Sequence, residues 1–316
     1  MKSSFACVIV FVSSAAAAEH RVVAERYWHT FSAAHPVLLR VKQGDRIVTK
    51  TVDSAGFDLN GVRRTETHGN PLTGPFFIEG AEAGDALEVR IERLRLNRAS
   101  GYTGYQVGIK DAPAVEKPGA DRVYKGYDYL LPWSIDLNAG VVRHGRLEFR
   151  AEPMLGCIGV APEGDYSPRS GPAGYWGGNL DYNLIREGAT VLLPVYHAGG
   201  LLFFGDGHAL QGDGEAVGSG VETSLDVEVR VGLRKKQQLT VPRIETADYI
   251  VSVGAKENGT FDESLSIATS DMLRWLVREH RLTDQEAHLL IGLRARYDVV
   301  TISGRIGLRI ARADLR

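Results

Sequence analysis

A buried strand followed by a glycine- and acid-rich segment decides how we expect this chain to fold and to act. It reads Leu201-Leu202-Phe203-Phe204-Gly205-Asp206-Gly207-His208-Ala209-Leu210-Gln211-Gly212-Asp213-Gly214-Glu215. The apolar start is typical of a strand inside a core. Glycine permits positive φ and close backbone approach, so the remainder can fold back and aim its carboxylates inward. Asp-Gly pairs are also ordinary turn signals, but this density of acids directly after a buried strand favours a functional site.

The acids and the histidine of this segment fit a site that holds a divalent metal ion. A second segment of the same kind, Gly177-Gly178-Asn179-Leu180-Asp181, precedes it. Hard ions such as Ca²⁺ bind carboxylates, borderline ions such as Zn²⁺ accept imidazole, and a mixed set with an open position suits a metal-activated water. Asp53 ends a predicted strand, from which a side chain can be aimed at a site, although a turn-forming role explains it equally well.

Composition and charge indicate a globular protein without a nucleic-acid partner. The chain has 316 residues, of which 44% are apolar, so it can bury a core without disulfide bonds. Its formal net charge is −2, with acids and bases interspersed, and no basic block suggests binding to nucleic acid.

The first residues have the pattern of a secretory signal peptide. Lys2 is followed by an apolar run at 5–12 and by small residues at 14–18, so we expect cleavage after Ala18 and a periplasmic or secreted protein that does not stay in the membrane. Removal of Cys7 would leave Cys157 as the single cysteine, in an apolar run where a thiol is buried and unreactive.

Alternating apolar and polar residues predict a mainly β chain with helices only near its end. Residues 87–94, 224–231 and 249–253 alternate as half-buried strands do, and Gly44-Asp45 between two β-branched runs predicts a hairpin. Residues 265–280 have one apolar helical face, and Thr283 with Glu286 forms a capping box that begins a second helix. We expect this helical pair to cover one sheet. The mature unit would be 19–316, with a possible division into two β subdomains near 150–165.

Several segments resemble the acetamidase/formamidase family. They are Asn70-Pro71-Leu72-Thr73-Gly74-Pro75, Glu79-Gly80-Ala81-Glu82-Ala83-Gly84-Asp85, Ile158-Gly159-Val160-Ala161-Pro162, the segment ending at Asp181 and the segment from Gly205 to Glu215. The resemblance implies a β-sandwich or jelly-roll fold with a small helical addition, hydrolysis of short linear amides to a carboxylate and ammonia, a metal-dependent site and possible homo-oligomers. The tail departs from the family, because arginines stand where a small-residue, acidic stretch is expected: Arg294, Arg296, Arg305, Arg309, Arg312 and Arg316.

Amide hydrolysis gives each candidate residue a hypothetical role. A divalent metal ion, Zn²⁺ or alternatively Ca²⁺, would acidify a water molecule and polarise the amide carbonyl. The hypothesis takes as metal ligands Asp53, Asp181 and His208, with Asp213 or Glu215 completing the set. Glu215 is the first choice for the general base, with Asp206 as a second catalytic acid. The backbone amides of Gly212 and Gly214 would help to stabilise the oxyanion.

Two alternatives stay open from the sequence. An exported β-sandwich with acidic glycine loops could be a Ca²⁺-stabilised ligand-binding module without catalysis, although His208 favours a transition metal. A pocket lined by Tyr175, Trp176 and Phe203 could instead admit an amide larger than formamide.

Overall fold

Twenty strands and two helices make up about half of the residues that this computed structural model describes, which are 17–104 and 130–315. The strands are Glu19–Arg21 (β1), Leu39–Val41 (β2), Arg46–Lys50 (β3), Leu72–Ile78 (β4), Ala86–Leu96 (β5), Ser100–Gly104 (β6), Leu130–Asp136 (β7), Val141–His144 (β8), Leu147–Arg150 (β9), Met154–Val160 (β10), Ala173–Gly174 (β11), Gly177–Asn179 (β12), Thr190–Pro194 (β13), Leu202–His208 (β14), Glu222–Thr223 (β15), Leu225–Arg234 (β16), Arg243–Glu245 (β17), Tyr249–Gly254 (β18), Arg296–Thr301 (β19) and Arg305–Ala311 (β20). The helices are Phe261–Arg278 (α1) and Asp284–Arg294 (α2), and a short 3₁₀ helix covers Arg312–Leu315.

The strands form two sheets. Within the described residues the first has nine strands in the order β1-β3-β16-β5-β13-β17-β18-β20-β19, and only the β1–β3 pair is parallel. The second has eleven strands: nine in the order β11-β12-β10-β14-β15-β6-β7-β8-β9, with β4 paired to β14 and β2 to β4. β14 therefore lies between β10 on one side and both β4 and β15 on the other.

One apolar cluster joins the inner faces of both sheets. Val89 and Val229 of the first sheet and Phe76, Ile158 and Phe204 of the second belong to it, and all five are fully buried. The rings of Phe76 and Phe204 stack with centroids 5.2 Å apart. This shared core confirms the predicted mainly β, sandwich-like fold.

The two helices cover the outer part of the first sheet, as predicted. Met272 and Trp275 of α1 pack with Ile250 of β18 and Leu308 of β20 in a second apolar cluster. Both helices begin with a capping box, at Thr260 for α1 and at the predicted Thr283 for α2. In the described residues neither helix combines the length and apolar character that a membrane span requires.

The hairpin predicted around Gly44-Asp45 is wrong. The turn itself forms, since the Asp45 carboxylate accepts from the Lys42 amide at 2.9 Å. However, β2 pairs in parallel with β4 in the second sheet, while β3 pairs with β1 and β16 in the first. The turn therefore passes the chain from one sheet to the other.

Two further boundaries were predicted, a division into subdomains near 150–165 and a signal peptide over 1–18. Strands from both sides of residues 150–165 occur in both sheets, so the suggested subdomain division does not correspond to a division between the sheets. The predicted signal peptide, 1–18, lies outside the described residues except for Ala17 and Ala18.

Candidate active site

Strand β14 carries the first part of the site. It continues to His208, beyond the apolar run that we predicted as the strand. Glycine is required because the neighbouring chains pack so closely: a Cβ at Gly205 would lie 2.5 Å from the Pro71 carbonyl oxygen, and one at Gly207 would lie 2.6 Å from Leu225 Cγ. The residues that we expected in a loop are thus held in a central strand, which gives the site a rigid support.

Four acids and one histidine converge at the end of β14. Ligand atoms of Asp181, Asp206 and His208 all lie within 4.8 Å of one another, and so do those of His208, Glu215 and Glu222. Glu222 reaches the group from β15, where it is the cross-strand partner of His208. We call these five residues the acid–histidine cluster. Sequence analysis singled out four of them and missed Glu222.

Four members of the cluster share one arrangement, in which one polar atom is anchored and the other is buried without a hydrogen-bond partner. The anchored atoms are Asp181 Oδ2 with Asn179 Nδ2 at 2.5 Å, Asp206 Oδ2 with Asn70 Nδ2 at 3.1 Å, His208 Nδ1 with Gln211 Oε1 at 2.7 Å, and Glu222 Oε1 with the Ser219 hydroxyl at 2.9 Å. The atoms without a hydrogen bond are Asp181 Oδ1, Asp206 Oδ1, His208 Nε2 and Glu222 Oε2. His208 Nε2 lies 3.2 Å from Glu222 Oε1 and 3.6 Å from Asp206 Oδ1, so carboxylates surround it. An unsatisfied buried polar atom costs about 1–3 kcal/mol, so four in one cluster call for a ligand.

Gln211 fixes which nitrogen of His208 carries a proton. The Gln211 amide nitrogen donates to the Asp181 carbonyl at 2.6 Å, so its oxygen is the atom that faces His208 Nδ1. Nδ1–H therefore donates, and in the neutral imidazole, which is the form that binds a metal, the lone pair of Nε2 is directed away from Gln211. This is the arrangement by which proteins orient a metal-binding imidazole.

Gly156 of β10 provides the room in which the two aspartates meet. A Cβ there would lie 2.7 Å from Asp181 Oδ1 and 2.6 Å from Asp206 Oδ2. Any side chain at this position would displace one carboxylate or both.

The backbone is unusual at several site residues. Asn70, Asp181, Asp206 and Glu215 all have positive φ, at 53°, 49°, 57° and 44°. Such conformations cost energy for residues other than glycine, and they concentrate where a structure holds functional groups in place.

Burial and nearby negative charge raise the pKa of three carboxyl groups in the cluster, those of Asp181, Asp206 and Glu215. Burial raises the pKa of Asp181 to about 6, opposed by the Arg305 guanidinium and assisted by Asp206. Burial also raises the pKa of Asp206 to about 6, assisted by Glu222. For Glu215, burial and the charge of Asp181 raise the pKa to about 9.

Neighbouring carboxylates favour the charged form of His208. Burial alone would lower the pKa of His208, but Glu222 and Asp206 outweigh it and raise the pKa well above its ordinary value. The negative charge around Nε2 is therefore what a cation would neutralise.

The cluster opens into a cavity of about 430 Å³. Asp181, Asp206, Glu215 and Glu222 line it, so four of the predicted or newly found acids face one space. Its other polar lining residues include Ser54, Asn70, Tyr102 and Arg305. The hydroxyls of Ser54 and Tyr102 lie 2.7 Å apart.

Asp53 is held by other partners. Its carboxylate receives the Arg98 guanidinium at 2.6 Å and the amides of Ala55 and Phe57 at 3.0 and 2.9 Å. It does not line the cavity or share a ligand group with the cluster within the described residues. Through these bonds Asp53 stabilises the turn that contains Ser54.

The glycine loop after β14 also differs from expectation. Asp213 is exposed and accepts from Asn183 at 2.7 Å, so it lies apart from the cluster. Gly212 is exposed, while the Gly214 carbonyl accepts from the Ile302 amide at 2.7 Å. Neither glycine lines the cavity, and only Glu215 of this loop tip turns inward.

Trp176 lies outside the cavity as well. It is buried against Tyr166 and Tyr175, with ring centroids 5.8 and 5.2 Å away, and with them lines a separate cavity of about 620 Å³ beside α1. Phe203 is fully buried and packs edge-on against Phe31. The aromatic substrate pocket suggested by the sequence is therefore not assembled at the acid–histidine cluster.

The donor set fits a divalent metal ion. Three carboxylates and one imidazole each offer an unpartnered buried atom, and the other atom of each is already oriented by the protein. Asp181, Asp206, His208 and Glu222 would hold the ion, with Glu215 beside them. One imidazole among carboxylates suits Zn²⁺ or another transition ion better than Ca²⁺.

Comparisons with known proteins support the resemblance seen in the sequence. The sequence profile of the Acetamidase/Formamidase family matches residues 164–270, which include the whole cluster. The solved structure of an acetamidase from Yersinia enterocolitica superposes with a TM-score of 0.81 and 25% identity, covering 94% of this chain and 93% of that one. The chain thus resembles the acetamidase/formamidase family in both sequence and fold. An acetamidase from Bacillus halodurans gives a TM-score of 0.79 with 26% identity, covering 92% of this chain and 97% of its own chain.

Sequence relatives of this chain match over shorter stretches. A formamidase from Methylophilus methylotrophus is 26% identical over 254 residues, which is 63% of this chain and 62% of that protein. A second curated relative is matched over 50% of its length. The chain thus spans between half and two thirds of the curated relatives it matches.

Proposed function

We propose that this chain hydrolyses short linear amides to a carboxylate and ammonia, using a divalent metal ion held by Asp181, Asp206, His208 and Glu222. The observation that carries the proposal is the convergence of four buried ligand atoms without hydrogen bonds at one cavity, which Asp181, Asp206 and Glu222 line and beside which His208 lies. Similarity to proteins named as formamidases and acetamidases supports the choice of reaction.

The metal would supply the chemistry that amides need. When bound, such an ion lowers the pKa of water and polarises a carbonyl oxygen. The imidazole of His208 and the three carboxylates are oriented for this before any ligand arrives, because each is anchored by a neighbour. Zn²⁺ is our first choice.

Glu215 would move the proton. Its carboxyl lines the cavity beside His208 and Glu222. Burial and the charge of Asp181 raise its pKa to about 9, so without a cation it holds a proton at neutral pH, and a divalent ion beside it would favour the ionised form. The ionised carboxylate can then accept a proton from the attacking water and later give it to the nitrogen that leaves as ammonia. Water adds to the amide carbon and the C–N bond breaks, so the products balance without another reactant.

The Ser54–Tyr102 pair would bind the carbonyl oxygen. Two hydroxyls that share one hydrogen bond retain one hydrogen to donate, and both residues line the cavity. This pair replaces the amides of Gly212 and Gly214 as the candidate oxyanion donor.

Substitution of each proposed ligand distinguishes this ligand set from the one predicted from the sequence, which included Asp213 and lacked Glu222. Asp181→Ala, Asp206→Ala, His208→Ala and Glu222→Ala should each lose bound metal and ammonia release while circular dichroism stays native. Asp213→Asn is the comparison, because its carboxylate is exposed and outside the cavity. Loss of metal from the Asp213 variant but not from the Glu222 variant would contradict the assignment. Metal binding without ammonia release from any amide would favour a Ca²⁺- or metal-stabilised binding module.

We also propose export with cleavage after Ala18. The proposal rests on the pattern of residues 2–18, and cleavage would leave Glu19–Arg21 paired with β3. It would remove the Ala18 carbonyl that accepts from the Arg46 amide at 2.8 Å. N-terminal sequencing of protein from the periplasmic fraction or the medium tests this, and a mature chain that begins at Met1 would overturn it.

A homo-oligomer is proposed on the apolar surface of α2 and β19. Leu289, Leu293 and Tyr297 are exposed there, and β19 is the last strand of its sheet within the described residues. Light scattering after size exclusion should show more than one copy, and Leu293→Glu should reduce the mass to that of one chain.

A further inference from the structure

One arginine of the basic C-terminal segment differs from the others in its position. Three of the others form ion pairs elsewhere: Arg294 with Asp314, Arg309 with Asp298, and Arg312 with Glu245. Arg305, at the start of β20, is the one arginine that lines the acid-lined cavity in the described part of the chain. The basic C-terminal segment thus brings one cation into the candidate active site.

The Arg305 guanidinium is fixed by its surroundings. Its Nη1 lies 2.8 Å from the Ser303 hydroxyl, 3.0 Å from the Thr301 hydroxyl and 3.3 Å from Asp181 Oδ2. Its Nη2 donates to the Gly171 carbonyl at 3.3 Å. The side chain is 12% exposed. Little conformational entropy therefore remains to be lost when this group binds something.

One edge of the guanidinium is left for a ligand. In residues 17–104 and 130–315 the structure gives Nε no hydrogen bond, and the second hydrogen of Nη2 is not needed for the bond to Gly171. Nε–H and Nη2–H point in parallel and form the fork that binds a carboxylate through both oxygens. A lysine or a neutral hydrogen-bond donor would not provide this geometry.

The cavity is larger than the simplest amides require. Pockets of about 300–1,000 Å³ hold ligands of drug size, and this one measures about 430 Å³. Formamide and acetamide would fill a small part of it. Polar lining residues such as Ser54, Asn70 and Ser303 favour a polar rather than an aliphatic acyl group.

We infer that Arg305 is a specificity residue that selects amides whose acyl group carries a carboxylate, such as the half-amides of short dicarboxylic acids. The inference rests on the proposed amide hydrolysis. Asp181 links the two ends of the substrate site, because its Oδ2 faces Arg305 while its Oδ1 is the unpartnered ligand atom. The metal site, where the amide carbonyl would bind, and Arg305, where the second carboxylate of the substrate would bind, thus lie on either side of one aspartate carboxylate. A substrate that reaches both needs only a short spacer, such as that of malonamate or succinamate.

The test compares an anionic with a neutral amide in the metal-loaded protein. The wild type should have a higher kcat/KM for malonamate or succinamate than for acetamide. Arg305→Gln should reduce kcat/KM for the half-amides about a hundredfold, mainly through KM, because a bidentate charged pair is lost. For acetamide the loss should stay below about tenfold. Arg294→Gln is the matched control, since it removes an exposed arginine of the same segment that pairs with Asp314.

A second measurement does not depend on the variant folding. Malonate and succinate should inhibit acetamide hydrolysis by the wild type competitively, and the neutral malonamide should inhibit it less. Metal content of Arg305→Gln is measured alongside to detect any loss caused through Asp181.

The outcomes are distinguishable. Equal losses for acetamide and the half-amides in Arg305→Gln, at unchanged metal content, would make Arg305 a positioning residue for Asp181 and overturn the inference. So would a wild type that prefers acetamide and is not inhibited by dicarboxylates, although amide hydrolysis would then stand. If no amide of either kind releases ammonia, the proposed function itself fails.

Discussion

His208 Nδ1 lies 2.7 Å from Gln211 Oε1, and the Gln211 amide is itself fixed by donating to the Asp181 carbonyl at 2.6 Å. This pair decides which nitrogen of His208 is available to a ligand. We expect Gln211→Ala to weaken metal binding about 10- to 100-fold, because the imidazole loses the partner that sets its tautomer and orientation. Competition with a chromogenic chelator measures this. Unchanged metal affinity would mean that Gln211 does not orient the ligand.

Substitution of Gly156 tests whether metal binding requires the close approach of the Asp181 and Asp206 carboxylates. Gly156→Ala places a methyl group within 2.7 Å of both carboxylates, so we expect loss of metal and activity together with a destabilisation of about 1–3 kcal/mol. Gly232→Ala is the control in another strand, because its Cβ would meet Glu88 at an ordinary 3.5 Å. Metal content by elemental analysis and urea unfolding separate the two effects. Normal metal content in Gly156→Ala would show that the carboxylates need not lie where the structure places them.

Asp53 and Arg98 should behave as a structural pair. Both side chains are buried and joined at 2.6 Å, so removing either leaves an uncompensated charge. We expect Asp53→Ala and Arg98→Ala each to cost about 3–5 kcal/mol, and the double variant to cost less than the sum. Denaturant unfolding of the four proteins measures the coupling. An Asp53 variant with native stability but no bound metal would restore this residue to the ligand set.

The acid–histidine cluster should make the chelated protein less stable as pH rises. The pKa values of Asp181, Asp206 and Glu215 are raised, to about 6, about 6 and about 9, so the native state holds protons that the unfolded chain has released. The raised pKa of His208 acts in the same direction, since the stability it gives is present at low pH and is lost as pH rises through the folded pKa. Unfolding free energy should therefore fall between about pH 5 and about pH 9.

Thermal melts with chelator across this range provide the check. Glu215→Gln should flatten the slope, and added metal should restore stability most at high pH, where it no longer competes with protons. A chelated protein whose Tm climbs from pH 5 to pH 9 would refute the proposed charge balance.

The sequence located much of the site because its residues are close together along the chain. Asp206 and His208 stand two residues apart in one strand, and the glycines between and beside them are required by close packing. Asp181 was visible through the Gly-Gly-Asn pattern before it. Glu222 was missed because its place depends on strand register: it is the cross-strand partner of His208, and local patterning does not state which strands pair.

The same limit explains the errors. Gly44-Asp45 does form a turn, but a turn signal cannot tell whether the flanking strands join each other or different sheets. Asp53 follows β3 by three residues rather than ending the strand, and although its side chain is buried, its partner is Arg98, far along the chain. Asp213 has the same local pattern as the inward acids, and only the course of the loop leaves it exposed.

The most direct test of the central claim is ammonia release from formamide, acetamide and malonamate by the purified protein, before chelation, after chelation and after return of single metal ions. The account predicts release that disappears on chelation and returns with one transition metal, together with its loss in Glu222→Ala. Ammonia release that continues in the chelated, metal-depleted protein would contradict a metal-dependent amidase centred on the acid–histidine cluster.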